Sequence, residues 1–203
     1  MCSIFNYKNC VGRNFDYEVS YNEEIRIIDS DEFDNDYKII GMATGFVKDY
    51  PLLYDGMNQH GLCVSALAFE GNAVYNDDAE HKNNIPSYEF PLKILGEFQN
   101  VSEVKDYLEN VNITNKAYSE DLSSSDLHWF ICDENESIIL EQTKDGLHWY
   151  DGDIMTNNPP YPQQLDMNHS SLDRVKDYPE LPEEYNSRGM ETYGLLGDYT
   201  SIS

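Results

Sequence analysis

Along the first third of the chain, apolar positions fall into short runs whose length and residue types suit β-strands. Ser3–Tyr7 and Val11–Tyr17 form a first predicted pair, joined by a turn at Lys8-Asn9. Ile25–Ile28 and Ile39–Phe46 follow, rich in the β-branched side chains that favour extended backbone. Leu52–Tyr54 and Leu62–Phe69 flank a predicted turn at Met57–His60. The period then changes. Ser87 is read as the N-cap of a helix over Tyr88–Phe98, with Pro91 in its first turn, where a missing N–H is tolerated. Ser102 is read as the cap of a second helix, with Val104, Tyr107, Leu108 and Val111 on one face at three- and four-residue spacing. Strands resume at Leu127–Cys132, Ser137–Thr143, Leu147–Tyr150 and Ile154–Thr156, linked by turns at Asp133-Glu134-Asn135 and Lys144-Asp145-Gly146. Strands, two helices and strands again predict an α+β layered fold rather than alternating βαβ units. From Asn158 to Ser187 the pattern becomes polar and irregular and holds Pro159, Pro160, Pro162, Pro179 and Pro182. This stretch is expected to be a long excursion from the core.

Length and charge narrow the picture. A chain of 203 residues suits one domain, 1–203, with a sizeable core. No apolar run is long enough to cross a membrane as a helix, and the start of the chain lacks a signal-peptide pattern, so a cytoplasmic protein is expected. With 38 acidic and 13 basic side chains the formal charge is −25, which argues against nucleic acid and anionic membrane surfaces as partners. The acids gather at Asp29–Asp36 and Asp177–Glu184, read as solvated loops; Asp29-Ser30-Asp31-Glu32 lacks the glycine and spacing of a calcium loop. The four cysteines, Cys2, Cys10, Cys63 and Cys132, show neither a CxxC pair nor a histidine at metal spacing. No metal and no cofactor is expected. Cys63 and Cys132 lie in apolar strands and read as inert core thiols.

The candidate chemistry begins at Cys2. Once Met1 is removed, Cys2 carries a thiol and a free α-amine on one carbon, so a single residue supplies nucleophile and base. An α-amine titrates near ~7.7–8.0, which leaves much of it able to take a proton in a cell. Arg13 would hold the thiolate by charge, and Asp16 would accept hydrogen bonds from the amine. His60, His128 and His148 are read as structural.

Six motifs, in order along the chain, carry a resemblance. They are Met1-Cys2-Ser3 with Val11-Gly12-Arg13-Asn14-Phe15-Asp16-Tyr17; Tyr54-Asp55-Gly56-Met57-Asn58-Gln59-His60-Gly61-Leu62; Leu127-His128-Trp129-Phe130; Met155-Thr156-Asn157-Asn158-Pro159; Ser187-Arg188-Gly189-Met190; and Gly197-Asp198-Tyr199-Thr200-Ser201. Together they resemble the choloylglycine hydrolase family, which holds bile salt hydrolases and penicillin V acylases. The resemblance implies an αββα sandwich of the N-terminal-nucleophile type and hydrolysis of a linear carboxamide with a bulky, apolar acyl group. Bile salts conjugated to glycine or taurine are placed slightly ahead of penicillin V and other N-acyl amides. It also implies Asn157 as a side-chain oxyanion donor and the main-chain N–H of Ala68 as the second donor.

Two departures stand out. Ala68 occupies a position where the family usually has Asn or Tyr, so the donor N–H stays and the side chain is lost. The family continues past the Gly197–Ser201 motif with an arginine and further strands, whereas this sequence stops at Ser203. Arg188 matches a different family position. An incomplete sandwich, a homo-oligomer, association with a missing C-terminal fragment, and a non-catalytic family member or interaction protein all remain open on this reading.

Overall fold

The computed structural model describes residues 2–166 except Asn9, Glu18 and Lys48. The elements are β1 (Ser3–Tyr7), β2 (Cys10–Asn14), β3 (Glu24–Ile28), β4 (Ile39–Ala43), β5 (Leu53–Asn58), β6 (Cys63–Ala68), β7 (Asn83–Pro86), α1 (Phe90–Glu97), α2 (Val101–Leu108), β8 (Val111–Thr114), β9 (Leu127–Cys132), β10 (Ser137–Thr143), β11 (Gly146–Asp151) and β12 (Ile154–Thr156). Seven strands form an antiparallel sheet in the order β11-β10-β9-β6-β5-β4-β3, and three form a smaller antiparallel sheet, β12-β1-β2. β7 and β8 pair in parallel.

Side-chain alternation along β6 and β9 organises two cores. Val64, Ala66, Trp129 and Ile131 face α1 and α2, joining Phe90, Ile94, Leu95, Val101, Val104 and Leu108 in the larger core. Cys63, Leu67, Phe130 and Cys132 face the small sheet and pack with Cys2, Ile4 and Met155. Both faces of these central strands are therefore buried, which is why they read as near-continuous apolar runs. α1 packs on β5 and β6. It comes close because Gly41 and Gly56 face each other across the β4–β5 ladder, and a Cβ on Gly56 would run into Leu95. Asn58 ties the helix to the following turn: its Nδ2 donates to the carbonyls of Leu95 and Phe98 at 2.9 and 2.7 Å, and its Oδ1 accepts from the N–H groups of His60 and Leu62.

Several predicted boundaries move. Met57 and Asn58 belong to β5, so the turn begins at Gln59 and turns through Gly61 at φ +86°. β2 ends at Asn14 and β4 at Ala43. α1 starts at Phe90 with Glu89 as its N-cap, because β7 runs to Pro86 and the Glu89 N–H is held on the Pro86 carbonyl at 3.0 Å. Ser87 therefore does not cap it. Asn100, not Ser102, caps α2: its side chain accepts from the Glu103 N–H at 3.0 Å, while the Glu103 carboxylate accepts from the Gln99 N–H at 2.8 Å. Val111 opens β8 instead of continuing the helix face. The Ser187–Met190 and Gly197–Ser201 motifs, and the predicted excursion beyond Asp166, lie outside the described residues.

The end of the large sheet carries apolar side chains on the face away from the helices. Ile25, Ile27, Ile40 and Met57 are 69, 72, 51 and 43% exposed. Ile27, Ile40 and Met57 stand side by side in register.

Candidate active site

The register of the small sheet assembles the site. β1 lies between β12 and β2, with Ser3 opposite both Thr156 and Asn14. One residue back, Cys2 therefore stands between Asn157 and Phe15. Ile4, two residues on, stands between Met155 and Arg13. Opposed residues share a face of an antiparallel pair, and the buried Ile4 shows that this face looks toward the large sheet. Cys2, Arg13, Phe15 and Asn157 thus all project into the layer between the sheets.

The contacts follow. The Cys2 main-chain nitrogen donates to Asn157 Oδ1 at 2.6 Å. Arg13 Nη2 lies 3.8 Å from Cys2 Sγ, and the Asp16 main-chain carbonyl lies 3.9 Å from the same sulfur. Cys2 is 3% exposed. Asn72 Nδ2 donates to Asn158 Oδ1 at 2.6 Å, which ties the loop after β6 to the loop after β12. The Asn158–Pro159 peptide is cis.

Arg13 also repairs a gap in the large sheet. Pairing of β5 with β6 ends at Asp55 opposite Ser65. The Asn58 N–H donates to the Leu62 carbonyl, so alternation makes Tyr54 and Ala66 the next hydrogen-bonding pair. The strands have separated there, and the guanidinium lies between them. Nη1 donates to the Tyr54 carbonyl at 3.2 Å and Nη2 to the Ala66 carbonyl at 2.8 Å, while the Asp55 carboxylate pairs with Nη1. Fork geometry lets one side chain meet two carbonyls, a carboxylate and a sulfur at once, which an ammonium on a flexible stem does not. Asp55 was missed at the level of sequence; it lies in a recognised motif, but nothing local marks its partner as Arg13.

The same alternation places Ala68. The Phe69 N–H donates to the Asp126 carbonyl across the β6–β9 ladder at 2.9 Å. The main-chain groups of Ala66 and Ala68 consequently point away from β9, into the opening that Arg13 enters. Ala68 lines the cavity there together with Cys2 and Arg13.

That cavity holds about 610 Å³ and is walled by aromatic rings. Phe15 packs on Tyr54 at 5.1 Å and on Tyr17 at 5.7 Å, Tyr17 meets Tyr21 edge-on at 5.2 Å, and Tyr21 continues to Phe46. The Arg13 guanidinium lies 4.8 Å from the Phe15 ring centre, within cation–π reach. Burial raises the Tyr17 phenol above its ordinary pKa, with the neighbouring charges of Tyr21, Cys2 and Glu70 adding to it. Burial likewise raises Tyr54. Both phenols stay neutral at pH 7 and offer O–H donors along the aromatic wall, while Glu70, Asp126 and Ser123–Ser125 add polar groups to the lining. The volume lies within the range of about 300–1,000 Å³ typical of small-molecule sites.

Behind the site, two buried polar side chains hold the Asn157 loop. Glu141 accepts the Tyr161 N–H on both oxygens, at 2.9 and 3.1 Å, and pairs with His128 Nδ1 at 3.2 Å. Gln164 accepts from Thr156 N and Oγ1 at 3.1 Å each and donates to the carbonyls of Thr156 and Pro159. His128 is fully buried and stacks on Phe69 at 4.3 Å; burial lowers its pKa. His60 packs on Tyr37 in the turn after β5, and His148 is exposed. Among the described residues no histidine lines the cavity, no cluster of side chains is arranged to hold a metal ion, and no helix is long and apolar enough to cross a membrane.

Comparison with known proteins gives concordant results. A family model described as linear amide C–N hydrolases, choloylglycine hydrolase family, matches residues 3–203. A bile salt hydrolase/transferase of Lactiplantibacillus plantarum is 39% identical over 223 residues, covering 100% of this chain and 68% of the relative. A bile salt hydrolase/transferase of Clostridium perfringens is 36% identical over 212 residues, covering 95% of this chain and 64% of the relative. A crystal structure of a variant of the conjugated bile acid hydrolase from Clostridium perfringens superposes with a TM-score of 0.77 at 33% identity, over 86% of this chain and 58% of that one. A penicillin V acylase from Agrobacterium tumefaciens shares the fold, with a TM-score of 0.65 at 20% identity over 90% of this chain and 60% of that one. The chain thus spans roughly three fifths to two thirds of the length of these proteins.

Proposed function

Because the chain belongs to the choloylglycine hydrolase family, with the αββα architecture of N-terminal-nucleophile hydrolases, we propose that it hydrolyses a linear carboxamide through Cys2. The carrying observation is the meeting of the Cys2 nitrogen with Asn157 Oδ1 and of the Cys2 sulfur with Arg13, beside an aromatic cavity.

With Met1 removed, the Cys2 amine takes the thiol proton and the sulfur attacks the amide carbonyl. Asn157 Oδ1 and Asp16 orient the amine, and Arg13 favours the thiolate. The oxygen of the tetrahedral intermediate is met by two donors, Asn157 Nδ2 and the Ala68 N–H. As the carbonyl re-forms, the C–N bond breaks and the amine of Cys2 returns its proton to the leaving nitrogen. Water then attacks the thioester, releases the acid and restores the thiol.

The substrate class proposed is a glycine- or taurine-conjugated bile salt, whose bulky acyl part matches the aromatic wall. Ala68 offers no side chain by which to discriminate, so penicillin V and other N-acyl amides belong in the same assay. A cytoplasmic location is part of the proposal. So is association with a second copy or with further polypeptide of the same fold, supported by the exposed Ile25, Ile27, Ile40 and Met57.

The test is an amidase assay on these substrates, with mass spectrometry of the N-terminus and size-exclusion chromatography of the same sample. Loss of Met1 and turnover abolished by Cys2→Ala are expected. Near-normal turnover by Cys2→Ala would sink the mechanism. Absence of turnover in a folded protein with a free Cys2 amine would leave the non-catalytic reading in its place.

A further inference from the structure

We propose that Cys63 and Cys132 form a redox modification site, a cross-strand dithiol that a hydroperoxide converts to a reversible intramolecular disulfide. The inference is independent of the amidase reading.

Cys63 and Cys132 are direct partners in the β6–β9 ladder. The phase of that ladder is known from the Phe69 N–H bond to the Asp126 carbonyl. Stepping back two residues at a time makes Leu67/His128, Ser65/Phe130 and Cys63/Cys132 hydrogen-bonded pairs. Cα atoms in such pairs lie about 5.5 Å apart, inside the window of about 4.4–6.8 Å that a disulfide spans. Both side chains project to the same face, into the core that also holds Leu67 and Phe130. All four cysteines are free. Joining the sulfurs asks the two Cβ atoms to close from the ~4.5–5.5 Å of directly opposed strand residues to the ~3.5–4.5 Å of a disulfide.

The pair is asymmetric. Cys63 is 7% exposed and Cys132 1%. Cys63 opens its strand next to the turn at Gly61, whose carbonyl lies 3.6 Å from its sulfur. Cys132 lies behind it as the resolving thiol. The neighbouring Cys132 thiol lowers the Cys63 pKa, while the Cys63 thiol first and burial second raise that of Cys132; Cys63, the more exposed of the two, is the sulfur that reacts first.

The chemistry balances with the hydroperoxide as the oxidant. The Cys63 sulfur attacks a peroxide oxygen; the S–O bond forms, the O–O bond breaks, and water leaves when the oxidant is hydrogen peroxide. The Cys132 sulfur then attacks the sulfenic acid. An S–S bond forms, the S–O bond breaks, and the displaced hydroxide leaves as a second water with the Cys132 proton. Two thiols are oxidised and one peroxide is reduced to two waters. The bond would join the two central strands of the large sheet, on the strand that carries Ala66 and Ala68.

The experiment treats the folded protein with hydrogen peroxide, denatures it in an alkylating reagent, and maps the cysteine peptides with and without dithiothreitol. The exposed Cys10 serves as an internal measure of oxidant strength. The expected result is a peptide pair joining Cys63 to Cys132, lighter by two hydrogens and released by dithiothreitol. In Cys63→Ser the peptide of Cys132 should remain alkylated, and in Cys10→Ser the link should form as in the parent. Recovery of both Cys63 and Cys132 as alkylated thiols after Cys10 is fully oxidised overturns the proposal. So does a link from either residue to another cysteine, or a link that forms only in denaturant. The map of the unsubstituted protein decides the matter even where a substituted chain does not fold.

Discussion

Replacing Arg13 with Met keeps the length and apolar stem of the side chain and removes the guanidinium. Four partners are affected: the Asp55 carboxylate, the carbonyls of Tyr54 and Ala66, and the Cys2 sulfur. The Arg13 side chain is 9% exposed and that of Asp55 24%, so Asp55 is left with a largely desolvated, uncompensated charge. Breaking a buried pair in this way costs about 3–5 kcal/mol, and partial wetting of Asp55 argues for the lower end, about 3 kcal/mol. For a domain of this size about 2–4 °C accompanies each kcal/mol, so the midpoint of thermal unfolding should fall by about 6–12 °C. Arg13→Lys should recover only part of the loss, since an ammonium can meet Asp55 but cannot bridge both carbonyls. Arg13→Met combined with Asp55→Leu should be more stable than Arg13→Met alone, because no unpaired charge remains. Circular dichroism melts of the parent, these three variants and Asp55→Leu alone, five proteins at pH 7, test this. A single Arg13→Met within about 0.5 kcal/mol of the parent would refute the claim that Arg13 closes the β5–β6 gap, and strict additivity in the cycle would refute its pairing with Asp55.

Asn157→Ala should lower kcat by ~10²–10³ through loss of one oxyanion donor, whereas Asn158→Ala, whose Oδ1 serves the loop contact to Asn72, should be much milder; equal effects would move the donor out of position 157. Glu141→Leu should destabilise by about 2–4 kcal/mol, because the Tyr161 N–H and His128 Nδ1 lose a shared buried acceptor; urea titration gives the value, and a change under about 1 kcal/mol would contradict the latch. Burial holds the His128 pKa down in the folded state, so below the unfolded value of ~6.5 the unfolded chain binds more protons. This contribution is full above pH ~6.5 and is lost on acidification at up to about 1.4 kcal/mol per pH unit. His128→Gln should therefore flatten the fall in stability between pH 7 and 5, as read by unfolding midpoints, and an unchanged slope would exclude it.

The legibility of the chain was uneven for physical reasons. β6, β9 and β10 were read closely because burial writes itself into continuous runs such as Val64–Leu67 and Trp129–Cys132. β7 and β8 went unread. Asn83-Asn84-Ile85-Pro86 has no strand periodicity of its own and is extended only because Val111–Thr114 lies beside it. The caps at Ser87 and Ser102 were wrong since a cap depends on where the preceding segment is held: the Pro86 carbonyl decides one helix start and the Asn100 side chain the other. Cys2, Arg13, Ala68 and Asn157 were named before the fold was known; Cys2, Arg13 and Ala68 line one cavity, and Asn157 meets the Cys2 nitrogen. Asp16 meets the Cys2 sulfur through its main-chain carbonyl.

The amino-acid sequence by itself determined the types of most elements, the family and the residues capable of the chemistry, because each rests on local pattern or on residue identity at a motif position. Only the tertiary structure decided which groups touch. The sheet registers place Asn157 on the Cys2 nitrogen, 155 residues away along the chain. They also pair Arg13 with Asp55 and set Cys63 against Cys132. Such contacts follow from strand order and hydrogen-bond phase, which are properties of the whole sheet and leave no mark on the neighbourhood of any one residue.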